Sequence, residues 1–291
     1  MIIDLKTHIY SLVAVFLALG IGILLGTGLG SVLNQEQKNI ITRLESDFNR
    51  YLEEKKALQS TIQQKNRELE MEKQFDRYIL SYLIQDHLLG RKIAIIRTSD
   101  EFKSHLIKEI TSTLEMAGAK VKSVTQFLPL IVTATPEQRT ELAQAFQVSQ
   151  PEALTQEVMK KVCEEIILGV NQEKLNFLQE RDYIHLWGSY NQAVDTVIIL
   201  GGASEEAKNF VTKIDLPLIN ALKKYKISII AGETMQTNVS YIPQYRKKSI
   251  VTIDNLDTIP GQVAMVYSLS KGIRHGNYGV KDTARSLLPE L

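Results

Sequence analysis

The chain has 291 residues, 44% of them apolar and 23% charged, which admits one or two domains with a substantial core. Lys and Arg number 34 against 33 Asp and Glu, and the resulting net charge of +1 excludes a dedicated nucleic-acid binder, whose affinity rests on a strong positive field. The single Cys163 excludes an intramolecular disulfide and any zinc or iron-sulfur site built from cysteines.

A mean hydropathy of -0.08 hides an uneven distribution. Residues 7 to 35 contain no Asp, Glu, Lys or Arg. As a helix such a run extends about 44 Å, beyond the roughly 30 Å of bilayer hydrocarbon. It is too long for the core of a signal peptide, and no Ala-x-Ala-like cleavage site follows it. Residues 1–33 therefore read as an uncleaved transmembrane anchor. Within it Ala14, Ala18, Gly22, Gly26 and Gly30 recur at every fourth position, a ridge of small side chains that lets two helix backbones approach closely in lipid. Self-association along that ridge is the expectation. Lys6 precedes the apolar run while Lys38, Arg43 and Arg50 follow it, so the flanking charges leave the orientation open.

From Asn34 to Leu89 there is neither proline nor glycine, and Glu, Gln, Lys, Arg and Leu dominate, all good helix formers. Apolar residues at Ile41, Leu44, Phe48, Tyr51, Leu58, Ile62 and Leu69 fit steps of three and four, with Lys55 and Lys65 interrupting the seam. After Leu69 the stripe shifts to Phe75, Tyr78, Ile79, Tyr82 and Leu83, a change of register before Gly90 ends the helix. Residues 34–90 are read as a coiled-coil stalk of a parallel homodimer, with Leu44, Phe48, Leu58 and Ile62 in the seam. As a helix it spans roughly 80 Å.

Residues 91–291 carry an α/β pattern. Lys92 to Arg97 is an apolar run, followed by Thr98 or Ser99 as the cap of a helix that reaches Met116 and closes at Gly118. Further strands are expected at Ala119 to Phe127, Asp195 to Leu200, Ile227 to Ala231 and Ser249 to Ile253. Apolar runs alternating with amphipathic helices predict a layered fold around a mainly parallel sheet, wound in a Rossmann-like or flavodoxin-like way. A helical insertion occupies about residues 135–190. Thr135-Pro136-Glu137-Gln138 is a capping-box start, Pro151 opens a helix whose apolar face is Leu154, Val158, Val162, Ile166 and Ile167, and Leu175 to Leu186 gives a third helical stretch.

Chemistry is sparse. Gly201-Gly202-Ala203-Ser204 lies between a strand and the helical Glu205-Glu206-Ala207, where backbone amides can cradle an anion. It lacks the full glycine fingerprint, and two acids in the first turn repel a phosphate, which favours a plain tight turn. No Walker lysine, nucleophile elbow or His-Glu-x-x-His motif is present, and His8, His87, His105, His185 and His275 are dispersed. Met159 and Cys163, four apart on one helix, are the one pair able to offer Cu(I) two sulfur ligands, though both residue types are ordinary core. Lys223, Lys224 and Lys226, and Arg246, Lys247 and Lys248, read as solvated surface.

Two stretches carry a resemblance. Asp4 to Gly28, DLKTHIYSLVAVFLALGIGILLGTG, resembles the amino-terminal signature of the MctB family, named for a mycobacterial copper transport outer-membrane protein. Ile259 to Ala264, Gly276-Asn277-Tyr278-Gly279-Val280 and Leu287-Leu288-Pro289 are similar to that family's carboxy-terminal motifs. The resemblance implies copper handling across the cell envelope, and for some relatives envelope or septum functions. The sequence itself offers no clustered Met, Cys or His and no series of barrel-forming strands, and a single membrane helix is not a pore.

The reading that follows is a single-pass membrane protein of the cell envelope, homodimeric, with its large domain extracytoplasmic. It acts as a scaffold for an envelope or division protein and not as an enzyme, and no cofactor is called for. The alternative is copper transport or efflux. Asn277, Tyr278 and Gly279 are candidate partner contacts, as polar residues of a loop.

Overall fold

The computed structural model describes residues 5–208 and 210–290, with only the helical backbone described at Leu5 and residues 28–36. The chain divides into two compact units, Met1–Lys73 and Gln74–Leu291. Helix α1 covers Leu5–Ile84. Its end departs from expectation. Gly90 does not terminate it. The helix stops at Ile84, Asp86 takes a left-handed conformation (φ 63°), and the chain turns so that Leu80, Ile84 and Leu88 are all buried. Core burial outweighed the good helix propensity of the last residues.

In the second unit, seven strands form one sheet among the described residues: β1 (Lys92–Arg97), β2 (Lys120–Phe127), β3 (Ile184–Gly188), β4 (Thr196–Leu200), β5 (Ser228–Gly232), β6 (Val251–Ile253) and β7 (Gly276–Tyr278), in the order β3-β2-β1-β4-β5-β6-β7. All neighbours are parallel except β2 and β3. Leaving aside the antiparallel edge, the first five parallel strands follow the flavodoxin-like winding of the two that were expected. Strands β4 and β5 are buried at every position, which is why they appear in the sequence as unbroken apolar runs.

The remaining helices are α2 (Ser104–Met116), α3 (Leu130–Thr133), α4 (Pro136–Ala145), α5 (Leu154–Leu168), α6 (Glu173–Glu180), α7 (Leu216–Leu222), α8 (Ile242–Tyr245) and α9 (Ile259–Ser270). Side chains alternate across the sheet. Ala94, Ile96, Val197 and Ile199 share one core with residues of α4, α5, α6, α7 and α8. Ile93, Ile95, Ile198 and Leu200 share the other with residues of α2, α9 and the last turns of α1. The capping box at Thr135 and Gln138 forms as the motif requires, with the reciprocal bonds at 3.3 and 2.8 Å.

Three further expectations are corrected. The stretch Leu175 to Leu186 is not wholly helical. Helix α6 ends at Glu180, and Ile184–Gly188 pairs antiparallel with β2, because an edge position beside Phe127 buries Ile184. Neither Thr98 nor Ser99 caps α2, whose N-cap is Lys103. Thr98 is held by Asp215, and the Ser99 hydroxyl accepts from the Glu101 amide. Asn277 and Tyr278 are not loop residues. They form β7, registered against Thr252 and Ile253.

Candidate functional site

In an open parallel sheet the natural site lies at the carboxyl ends of the strands, where the winding reverses. Here that point is between β1 and β4, since β2 leaves β1 on one side and β4 begins the run on the other. The segment after β1 crosses toward β4: the amides of Thr98 and Ser99 both donate to the Leu200 carbonyl, at 2.9 and 3.1 Å. This brings residues 98–101 against residues 201–204.

Two carboxylates occupy the crevice so formed. Asp100 accepts the Ser204 amide at 3.2 Å, the Ser204 hydroxyl at 2.6 Å and the Lys208 ammonium at 2.9 Å. Burial pushes the Asp100 carboxyl up, but the bonds from Ser204 and Lys208 outweigh it and hold it below the usual carboxylate range. The Ser204 amide thus receives an anion from the chain itself, while the Gly201 and Ala203 amides donate to the Gly232 and Val239 carbonyls. Glu206–Lys208, beyond it, is a single 3-10 turn, too short to present a helix terminus. Both glycines are required by the backbone and its packing: Gly202 has φ +94°, and a Cβ on Gly201 would collide with the Tyr245 hydroxyl.

Deeper in, Asp215 is fully buried. Its Oδ1 accepts from the Thr98 hydroxyl at 2.6 Å and from the Tyr245 hydroxyl at 2.5 Å, while Oδ2 has no partner. Burial raises its carboxyl to about 7, against the lowering effect of those two hydroxyls. The same burial, together with the neighbouring Asp215, pushes the Tyr245 phenol well above its ordinary range.

A second polar cluster closes the ends of β5, β6 and β7. Glu233, fully buried, accepts from the Lys281 ammonium at 2.6 Å and from the Tyr241 amide at 2.9 Å. Asp254 accepts the amides of Val280 and Lys281 at 2.8 and 3.1 Å. Gly279 permits this approach: at φ +136° it leaves open the space that a side chain would take from the Asp254 carboxylate. Asn277 Oδ1 accepts from Thr252, and the amides of Gly279 and Arg285 donate to Ser286 and Asn277 carbonyls. The carboxy-terminal segment is therefore laced over the strand ends, and Asn277, Tyr278 and Gly279 belong to that lacing.

Asp100, Asp215, Glu233, Asp254 and Lys281 were not singled out from the sequence. The available signal was weak: Asp100, Glu233 and Asp254 each stand one to three residues beyond an apolar strand.

Met159 and Cys163 lie on α5, both fully buried. The Cys163 thiol donates to the Leu218 carbonyl at 3.8 Å, and burial pushes it far up. No group of three or more His, Cys, Asp or Glu is placed to hold a metal among the described residues. At the other end of the chain, Lys6–Thr27 is long and apolar enough to cross a membrane. Within it, nothing lies within 4 Å of a Cβ built on Gly22 or Gly26. Ala14 and Ala18 are exposed beside them, whereas Gly30 lies outside the residues whose side chains are described. Leu44, Phe48, Leu58 and Ile62 are all exposed along α1.

With this geometry in view, residues 2–289 match the family described as "Copper transport outer membrane protein, MctB". The chain belongs to the MctB family. Curated MctB proteins from Mycobacterium bovis and from two strains of Mycobacterium tuberculosis, each named "Copper transporter MctB", are 24% identical to it over 317 residues, covering 95% of both chains. The MctB match thus takes in the apolar helix, the long helix and the sheet together.

Proposed function

We propose that this protein is a dimeric, single-pass scaffold of the cell envelope whose extracytoplasmic α/β domain works by binding a partner protein and not by turnover. The observation that carries this reading is the self-filled crevice. Where an α/β enzyme leaves room for substrate at the winding reversal, Asp100 is bonded by Ser204 and Lys208, and one oxygen of Asp215 by Thr98 and Tyr245. Dimerisation is supported by the small-residue ridge and by the unpartnered seam residues of α1. Membrane attachment is supported by Lys6–Thr27.

The test is site-specific photo-crosslinking in cells. Tyr278 is half-buried in β7, so the probes belong at Val280, 55% exposed, and Trp187, 49% exposed. Capture of the same envelope or division protein from either position is the expected result. Absence of any crosslink, together with turnover of a small molecule by the purified protein, overturns the reading. A reporter fused after Leu291 is expected to be active only on the extracytoplasmic side.

Copper carriage is the second reading, and it rests on the names of the mycobacterial relatives. Met159 and Cys163 are the ligands it would use. A tight stoichiometric Cu(I) complex lost in Cys163→Ser would establish it. The scaffold reading expects no such complex.

A further inference from the structure

Helices α3, α4 and α5 line a partly open cavity of about 200 Å³ beside the first core. Its walls are Leu142 of α4 and Leu154, Val158 and Met159 of α5, all buried, while α3 closes a third side. Thr155, Val158 and Met159 share one face of α5 through their spacing of three and four, which is how a single helix supplies both apolar wall and hydroxyl.

The rim is charged in one sense only. Arg139, one turn before Leu142 on α4, and Lys213, from the turn Val211–Asp215, both line the opening. Several basic side chains nearby are paired: Lys160 with Glu157, Lys161 with Glu164, Arg181 with Glu141 and Lys208 with Asp100. The side chains of Arg139 and Lys213 have no hydrogen bond or ion pair among the described residues. The Thr155 hydroxyl is likewise without a partner among them. Two elements far apart in sequence thus bring unneutralised cations to the mouth of a cavity whose floor is apolar.

From this placement we infer a binding site for a small amphipathic carboxylate, its apolar body between α4 and α5 and its carboxylate at Arg139 and Lys213. A guanidinium fork matches a planar carboxylate in two parallel bonds, and the ammonium and the Thr155 hydroxyl supply further donors. An engineered apolar cavity of about 150 Å³ takes up benzene, so this one suits a single ring or a short chain. Met159 lines the same space, but two cations at the entrance disfavour the approach of a metal cation to its sulfur. The site is separate from the strand-end crevice and does not depend on the scaffold reading.

The experiment is equilibrium dialysis of radiolabelled phenylacetate against the full chain in lipid nanodiscs, with empty nanodiscs as the blank and 2-phenylethanol as the uncharged probe. Saturable binding of one phenylacetate per chain is expected, at least about tenfold tighter than phenylethanol. Arg139→Gln combined with Lys213→Gln is expected to weaken phenylacetate about tenfold and leave phenylethanol unchanged. Both side chains are exposed, so the fold does not depend on them. Val158→Phe, which fills the cavity, is expected to abolish binding of both probes. Phenylacetate retained no better than by empty nanodiscs, equal binding of the alcohol, or an unchanged affinity in the double variant each overturns the site.

Discussion

The two units of this chain treat their side chains in opposite ways. Along the first, Leu44, Phe48, Leu58 and Ile62 stand exposed at 51 to 67%, and Arg50 pairs with Asp47 and Glu54 on the same helix. In the second, carboxylates are taken to zero exposure and given partners from distant segments, as Glu233 is by Lys281. An isolated helix has no interior, so its apolar stripe stays unsatisfied until lipid or a second helix covers it. The α/β unit builds two complete cores and closes its own strand ends. On the proposed function, another molecule is met by the first unit's seam and the second unit's outer surface.

The largest effect expected from breaking this contrast comes from the buried pair. Lys281→Met removes the ammonium partner of Glu233 at zero exposure, and a loss of about 3 to 5 kcal/mol in chemical unfolding is expected. Lys65→Met, which breaks an exposed pair with Glu68 on α1, is expected to produce no measurable change. Equal effects from the two would erase the distinction between the units.

A smaller effect follows from Asp215. Its folded carboxyl is raised by burial to about 7 from an ordinary 3.8, so the folded state holds the proton more tightly than the unfolded one. The associated stability is full below pH 4 and is lost as pH rises through 7, by a few kcal/mol. Asp215→Asn is expected to flatten the profile between pH 5 and 8 and to be the more stable form at pH 8. A parent protein whose unfolding midpoint does not fall over that range contradicts the burial argument.

The mildest substitutions act on association alone. Gly22→Ile with Gly26→Ile removes the close approach of two helices and is expected to weaken dimers in a membrane assay without altering the unfolding of the α/β unit. An unchanged dimer signal removes the ridge from the account.

What could be read in the sequence divides along the same line of local against distant causes. The Thr135–Gln138 capping box was legible because all its partners lie within four residues. Strands β1, β4 and β5 were legible because burial on both faces leaves an apolar run. Strand β3 was not: five residues of mixed polarity after a helix take their conformation from β2, some sixty residues earlier. Strand β7 is Gly-Asn-Tyr, poor in strand formers, and exists because β6 offers it an edge. The buried carboxylates were invisible for the same reason. Thr98 and Asp215 are separated by 117 positions, and nothing near either residue announces the other.

The central claim is that the exposed seam of α1 is covered by a second copy of the chain, and it is tested most directly by cysteine crosslinking in membranes. Cys163 is fully buried with its thiol pushed up by burial, so it is silent as background. Phe48→Cys and Leu58→Cys place a single reactive thiol on the seam, whereas Glu53→Cys places one on the opposite face, about half a turn away. A bifunctional maleimide is expected to yield a homodimer band from the first two and none from the third. Monomer alone from all three, or equal dimer from all three, contradicts the account.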